Sequence, residues 1–333
     1  MVRRLLFVSA ALTLLAVTFT AVAAHRALWR RLDNPRVSLE IESGSSARLV
    51  LEQLAERGLL PSRLAGRVYL AVRGENRSFH YGHYRIAART RPVDVLERLL
   101  EGIVETVRVT VVEGLLASDL GPLCAAAGVG TAEQWQRAIT RSDLVRDIAP
   151  QASSLEGFLY PDTYLFAVGI AADEAAEHMI GRFREVWREL SADTDRPVGT
   201  PFETVILASL VEAETSVPGE RARVAGVFRN RLDRGMLLQC DPTVVYALKR
   251  GGGWPGRLLR RHWLLDDPYN TYRYPGLPPG PINSPGRAAL AAALRPESHS
   301  YLYFVARPGG GHTFSPTLAE HNRAVAELRR SRR

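Results

Sequence analysis

"PFETVILASLVEAETS", residues 201–216, is an apolar run that ends in two acids, Glu212 and Glu214. Val205, Ile206, Leu207, Leu210 and Val211 are enough apolar side chains for a helix buried on most of its circumference. Charge at the end of such a helix needs a reason. Residues two apart lie about 200° apart around a helix axis, so the two carboxylates cannot both face one cleft if the helix continues through them. Glu212, beside Leu210 and Val211, is the better candidate for a partly buried carboxyl with a pKa raised by desolvation. Glu214, followed by Thr215, Ser216 and Pro218, is expected to hold the turn or to pair with one of the arginines that follow. A lone glutamate at a helix end is ordinarily a solvated surface residue, so a chemical role needs support from the rest of the chain.

Downstream, "VPGERARVAGVFRNRLDRGM" (217–236) carries an apolar stripe of Val224, Val227, Phe228 and Leu232 that stops at Gly235. Next come "LLQCDPTVVYAL" (237–248), a Gly/Trp/Arg-rich insertion and "YNTYRYPGLPPGPINSPG" (269–286), whose prolines and glycines exclude regular structure. A strand, "YLYFVAR" (301–307), a glycine-rich turn and "HTFSPTLAEHNRAVAELRR" (312–330) follow. Upstream, the polar stretch "SADTDRPVGTP" (191–201) reads as a linker, preceded by the amphipathic helix "ADEAAEHMIGRFREVWREL" (172–190). In "SSLEGFLYPDTYLF" (153–166), Gly157 and Pro161 cut any helix short, and Phe158, Tyr160, Tyr164 and Phe166 crowd together. Such a cluster is either a core-packing loop or the wall of a sugar cleft. Residues 131–149 read as helical.

The amino-terminal half contains an internal repeat. "VSLEIESGSSARLVLEQLAERGLL" (37–60) alternates as a strand from Val37 to Glu42, turns at Gly44 and continues as a helix with Leu49, Val50, Leu54 and Ala55 on one side. "VRVTVVEGLLASDLGPLCAAAGVG" (107–130) repeats the plan without a gap: Val107 answers Val37, Gly114 Gly44, Ala117 Ala47, Ala125 Ala55 and Gly128 Gly58. Between the copies, "FHYGHYRIAARTRPVDVLERLLEG" (79–102) reads as a strand and a helix that opens near Pro92 and Asp94.

The 333 residues, 46% hydrophobic and 23% charged, leave room for two or more globular domains. A net charge of +8 favours an anionic surface, but no zinc-finger spacing, RNP-like aromatic set or basic helical arm points to nucleic acid. Cys124 and Cys240 are too few for a disulfide framework and have no metal-ligand spacing; they read as two buried thiols, with a single bridge the alternative in an oxidising compartment. Arg3 and Arg4 precede residues 5–24, an uncharged apolar run long enough to span a bilayer. It reads as a signal anchor with residues 1–4 in the cytoplasm. The other reading is a signal peptide cleaved at the small residues Ala21 and Ala23.

Seven stretches in order, "EGFLYPDTY", "LASLVEAET", "VAGVFRNRL", "MLLQCDPTVVYAL", "YNTYRYPGLPPGPINSPG", "YLYFVA" and "GHTFSPTLAEHN", resemble the catalytic domain of the YceG-like family, the membrane-anchored endolytic murein transglycosylases of bacteria. The likeness is close from about residue 150 onward and looser before it. Cys240, where relatives more often have a small hydroxyl residue, and Ser284, where asparagine is common, are small departures. The resemblance implies cleavage of the β-1,4 bond between N-acetylmuramic acid and N-acetylglucosamine in peptidoglycan glycan strands, leaving a 1,6-anhydro end. Because the sugar's own 6-hydroxyl attacks, one carboxyl can serve first as acid and then as base. Glu212 matches the family's catalytic position. Glu214 becomes a supporting residue, and Gln239, Asp241, Asn270, Thr271 and Tyr272 become donors and acceptors for the glycan, with Tyr160, Tyr164 and Tyr269 as stacking faces. His312 and His321 lack metal-ligand spacing, and the reaction needs neither metal nor cofactor. Work at the inner membrane, with the catalytic domain outside the cytoplasm and beside peptidoglycan synthases, is implied as well.

The expected fold is α+β: one transmembrane helix (5–24), a LysM-like β-α module (36–104), a second β-α module and helical region (105–195), and a mixed α/β catalytic domain (200–333). Its cleft is expected between the Glu212 helix and "YNTYRYPGLPPG". A muramidase that lets water attack, and a non-catalytic wall-binding scaffold, are the competing readings.

Overall fold

A computed structural model describes residues 2–42, 44–73, 79–192 and 199–331; residues 193–198 of the expected linker lie outside the described residues. The chain divides into two units, residues 1–107 with 165–170, and residues 108–164 with 171–333.

The first unit contains α1 (Val2–Trp29), β1 (Val37–Ile41), α2 (Ala47–Glu56), α3 (Arg63–Val72), β2 (Gly82–Ile86) and α4 (Pro92–Leu100). β1 and β2 run antiparallel, with Val37 opposite Ile86 and Ile41 opposite Gly82. Their inward residues Leu39, Ile41, Tyr84 and Ile86 pack with Val50, Leu51 and Leu54 of α2 and Leu96 and Leu99 of α4. Ser46 and Ser62 cap α2 and α3 through their hydroxyls. Leu49, expected on the inner face of α2, is 55% exposed. The buried stripe is centred on Val50, Leu51 and Leu54, which leaves Leu49 at its outer edge. Among the described residues, α1 is the one helix long and apolar enough to cross a membrane by length and composition. Its Thr18 and Thr20 hydroxyls donate back to Leu14 O and Ala16 O, which satisfies both groups within the helix. At its far end Leu28 is buried in the core of the unit.

The repeat is real at the level of backbone. β3 (Thr106–Thr110) leads to α5 (Ala117–Ala126) as β1 leads to α2, and Gly44 and Gly114, like Gly58 and Gly128, take matching left-handed conformations. β3 pairs with β4 (Thr163–Ala167).

The second unit adds α6 (Ala132–Ala138), α7 (Ala172–Ala192), α8 (Pro201–Glu214), α9 (Arg221–Asp233), α10 (Asp241–Arg250), α11 (Arg287–Leu294), β5 (Tyr303–Ala306), β6 (His312–Ser315) and α12 (Leu318–Ser331). α8 begins with a capping box between Thr200 and Glu203 and with Pro201 in its first turn, and every residue from Thr204 to Val211 is buried. It packs on α9, α10 and α11, the last presenting Ala289, Leu290, Ala293 and Leu294. Residues 153–162 form an irregular loop whose Phe158 is fully buried, edge-on to Phe183 at 5.2 Å and stacked on Phe202 at 6.4 Å. Among the described residues the sheets are three separate two-stranded ribbons, so the architecture is mixed α/β with helices dominant.

Candidate active site

Three segments meet at the last turn of α8. Ser209, fully buried, donates to Ile206 O at 2.7 Å and accepts from Ile282 N at 3.1 Å, while Asn283 Nδ2 donates to Ser209 O at 2.9 Å. Those bonds fix the loop before α11 to α8. Gly114 N donates to Ser284 O at 2.8 Å and Ser284 N to Leu115 O at 2.9 Å, which fixes the turn after β3 to the same loop.

Glu212 projects into this junction with its side chain 8% exposed. Its Oε2 accepts from Gly286 N at 3.0 Å, the N-cap of α11, where the helix dipole adds positive potential. Its Oε1 lies 3.6 Å from Nη2 of Arg221, the first residue of α9. Arg221 is itself buried, and its Nε has no protein partner. Burial raises the Glu212 pKa above the usual carboxylate value and the negative charge of Glu113 adds to this; Gly286 N–H and Arg221 act in the opposite direction. The balance leaves a carboxyl able to hold a proton closer to neutrality than a surface glutamate does.

Glu214 occupies the other side of the helix, as the 200° separation requires. It is the last residue of α8, and its side chain reaches the thiol of Cys240, with Asp241, His312 and Arg231 nearby. Burial raises its pKa too. Cys124 and Cys240 are both free and buried, and burial pushes the Cys240 thiol well above its usual range.

Most of the expected glycan contacts belong to the Glu214 side. Asp241 Oδ1 accepts from Tyr272 Oη at 2.7 Å and from Trp263 Nε1 at 3.0 Å, and the Trp263 and Tyr272 rings stack at 5.4 Å. Gln239 is exposed and held in the left-handed region, φ 50°, by its N–H bond to Thr271 O. A non-glycine residue there costs some backbone energy.

Asn270 and Thr271 have their hydrogen bonds committed within the protein. Asn270 Nδ2 donates to Trp263 O and Leu265 O and its Oδ1 accepts from Tyr272 N, while Thr271 Oγ1 accepts from Cys240 N and bonds Thr243 Oγ1. Both are buried and shape the loop. Tyr269 is 8% exposed, with its ring tilted against Tyr246 at 4.8 Å and the Arg250 guanidinium over it at 4.9 Å, which leaves little of it open to a sugar. Tyr160 is 6% exposed, with Arg182 over its ring at 6.0 Å, and its carbonyl accepts from Tyr164 Oη at 2.6 Å.

Between α8 and the "YNTYRYPGLPPG" stretch, Gly276–Pro279 wall a cavity of about 560 Å³ with Phe202, Glu203, Ile206 and Leu207, which lie on the half of α8 away from Glu212. Glu212 is faced by the "NSPG" end of that loop and by the turn at Glu113.

Sequence reasoning missed Glu113, Arg221, Gly286 and Glu156. Glu113 had one local sign: it falls in the second repeat where the first has Ser43, an acid beside the shared glycine. His312 bonds Glu220 with its ring Nδ1 at 2.7 Å and its N–H at 3.0 Å, which secures the residue just before Arg221.

A model of the YceG-like family matches residues 39–327. A Bacillus subtilis (strain 168) protein named endolytic murein transglycosylase is 30% identical over 307 residues, covering 86% of this chain and 83% of the relative. A Streptococcus pneumoniae serotype 2 (strain D39 / NCTC 7466) protein of the same name is 32% identical over 183 residues, 52% of this chain; that match spans only 32% of the relative. The crystal structure of a YceG-like protein from Listeria monocytogenes superposes with a TM-score of 0.56 at 27% identity, covering 87% of this chain and 99% of that one.

Proposed function

The chain belongs to the YceG-like family, and from that membership we propose that it is an endolytic murein transglycosylase with Glu212 as its acid and base. The observation that carries the proposal is the Glu212 carboxyl itself: buried, raised in pKa, and held by Gly286 N–H and Arg221 at a junction of three segments. Protonated Glu212 gives its proton to the glycosidic oxygen between N-acetylmuramic acid and N-acetylglucosamine as that bond breaks. The resulting carboxylate then takes the proton of the muramic acid 6-hydroxyl, whose oxygen closes on the anomeric carbon to leave a 1,6-anhydro end. One carboxyl suffices because donor and acceptor steps are sequential. Gly286 N–H steadies the carboxylate between them.

Exposed Gln239 and the Asp241–Tyr272–Trp263 group are the glycan contacts we assign on the other side of α8. The first unit is read as a LysM-like module that holds the wall. Residues 5–24 anchor the chain in the cytoplasmic membrane with Arg3 and Arg4 inside and the second unit outside, where cleavage beside a peptidoglycan synthase ends growing strands.

The presence of Glu113 near Glu212 favours one second reading, a muramidase in which a second carboxylate activates water. Mass spectrometry of un-crosslinked glycan strands treated with the detergent-solubilised protein separates the two. Ends lighter by one water, present with wild type and absent with Glu212→Gln, are the expected result. Reducing ends support the muramidase, and activity in Glu212→Gln overturns the assignment.

A further inference from the structure

Gly286 has φ −79° and ψ 174°, an extended backbone that any residue adopts, so its conformation does not demand glycine. Space does. A Cβ at this position would lie 1.8 Å from Oε1 and 2.1 Å from Cδ of Glu113. The missing side chain is the room into which the Glu113 carboxylate fits. The N–H of the same glycine is given to Glu212, so a single residue carries one carboxylate against its α-carbon and another on its nitrogen. The turn bearing Glu113 is fixed to this loop by the two hydrogen bonds through Ser284.

Resting on the reading of Glu212 as the acid, we propose that Glu113 is a positioning residue of the site: its negative charge keeps the proton on Glu212 until the glycosidic oxygen takes it. The charged groups that face Glu212 are few. Glu113 comes from the turn after β3 and Arg221 from α9; α11 offers the Gly286 N–H, its next residue Arg287 being paired to Glu189 of α7 at 2.6 Å. α10 presents Asp241 to Glu214 rather than to Glu212. Arg221 and Gly286 N–H both favour an ionised Glu212, a form useless for the first step. Among the charged groups of the described residues, Glu113 opposes them, adding to the effect of burial, since two like charges at close range cost more than one. Its side chain is exposed to water.

The test is the pH–rate profile of glycan cleavage for the full chain in detergent, with Glu113→Gln, Glu113→Asp, Gly286→Ala and Glu212→Gln. Gly286→Ala removes no charge, but its methyl displaces the flexible end of Glu113 and leaves the N–H in place. Glu113→Gln and Gly286→Ala are expected to move the alkaline limb to lower pH, with a loss of roughly threefold to tenfold at neutral pH and near wild-type rates in acid. Glu113→Asp restores part of the loss. A structural role alone would lower the rate equally at every pH. Wild-type profiles in both variants, with Glu212→Gln inactive, overturn the role of Glu113 and leave Glu212 standing. Activity in Glu212→Gln removes both. Inactivity of Glu113→Gln at all pH values also overturns positioning, because Glu113 would then act on the sugar or water directly.

Discussion

Glu156 is 6% exposed and accepts a hydrogen bond from Ala117 N at 3.0 Å; burial pushes its pKa from the ordinary 4.5 up to about 7, against that bond and one from Tyr246. Between those values the folded protein binds more protons than the unfolded chain, so stability falls as pH rises through the window. The difference amounts to something on the order of 3 kcal/mol by neutral pH. Glu156→Gln keeps an acceptor for Ala117 N and removes the titration. Urea unfolding at pH 4.5 and pH 8 should show the variant losing much less stability on going up than wild type does; parallel losses would contradict the assignment. Glu212 could be found in the sequence because the same element supplies both the acid and the apolar surface that buries it. Glu113 and Glu156 could not, because Gly286 and Ala117, the backbone groups that define their surroundings, come from distant segments. Asn270 and Thr271 look like ligand residues in sequence for the same reason: their partners, Trp263 O and Thr243 Oγ1, are invisible until the loop folds.

That the apolar run forms a buried helix was readable from its composition; the structure carries it through Glu214 and adds the capping box at Thr200 that starts it. The segment that faces Glu212 was not readable, because a proline-rich loop carries no period to say which of its parts returns to the end of the helix. Ser209 decides that, taking Ile282 N and offering its carbonyl to Asn283. Ser209→Ala leaves a buried N–H without a partner, at a cost of about 1–3 kcal/mol, and loosens the segment that aims Gly286 N–H at Glu212. Thr200→Ala at the far end of the same helix costs about 1 kcal/mol through the lost cap and should leave the site alone. Cleavage rates measured well below both melting temperatures therefore separate the two: a fall with Ser209→Ala beyond that of Thr200→Ala is expected, and equal rates would mean that the loop holds its place without Ser209.

At the scale of the whole molecule, the repeat was legible because β-strand, left-handed glycine and helix are local events, but its two copies have different fates. The first is completed by β2 in its own unit, whereas the turn of the second is bonded to Ser284 and its residues cluster with those of α8. All the residues assigned to chemistry therefore lie in the second unit, outside α1. Leu28 is 3% exposed in the core of the first unit, and burying a leucine contributes about 1.5–3 kcal/mol, so where α1 is cut matters. A chain starting at Ala24 loses the apolar run and keeps Leu28; a chain starting at Arg30 loses both. Both should leave the membrane fraction on centrifugation and both should cleave glycan, while only the shorter melts earlier. If the two fragments melt together, the end of α1 does not contribute to the first unit. If either stays with membranes, attachment comes from surfaces beyond the apolar run of residues 5–24.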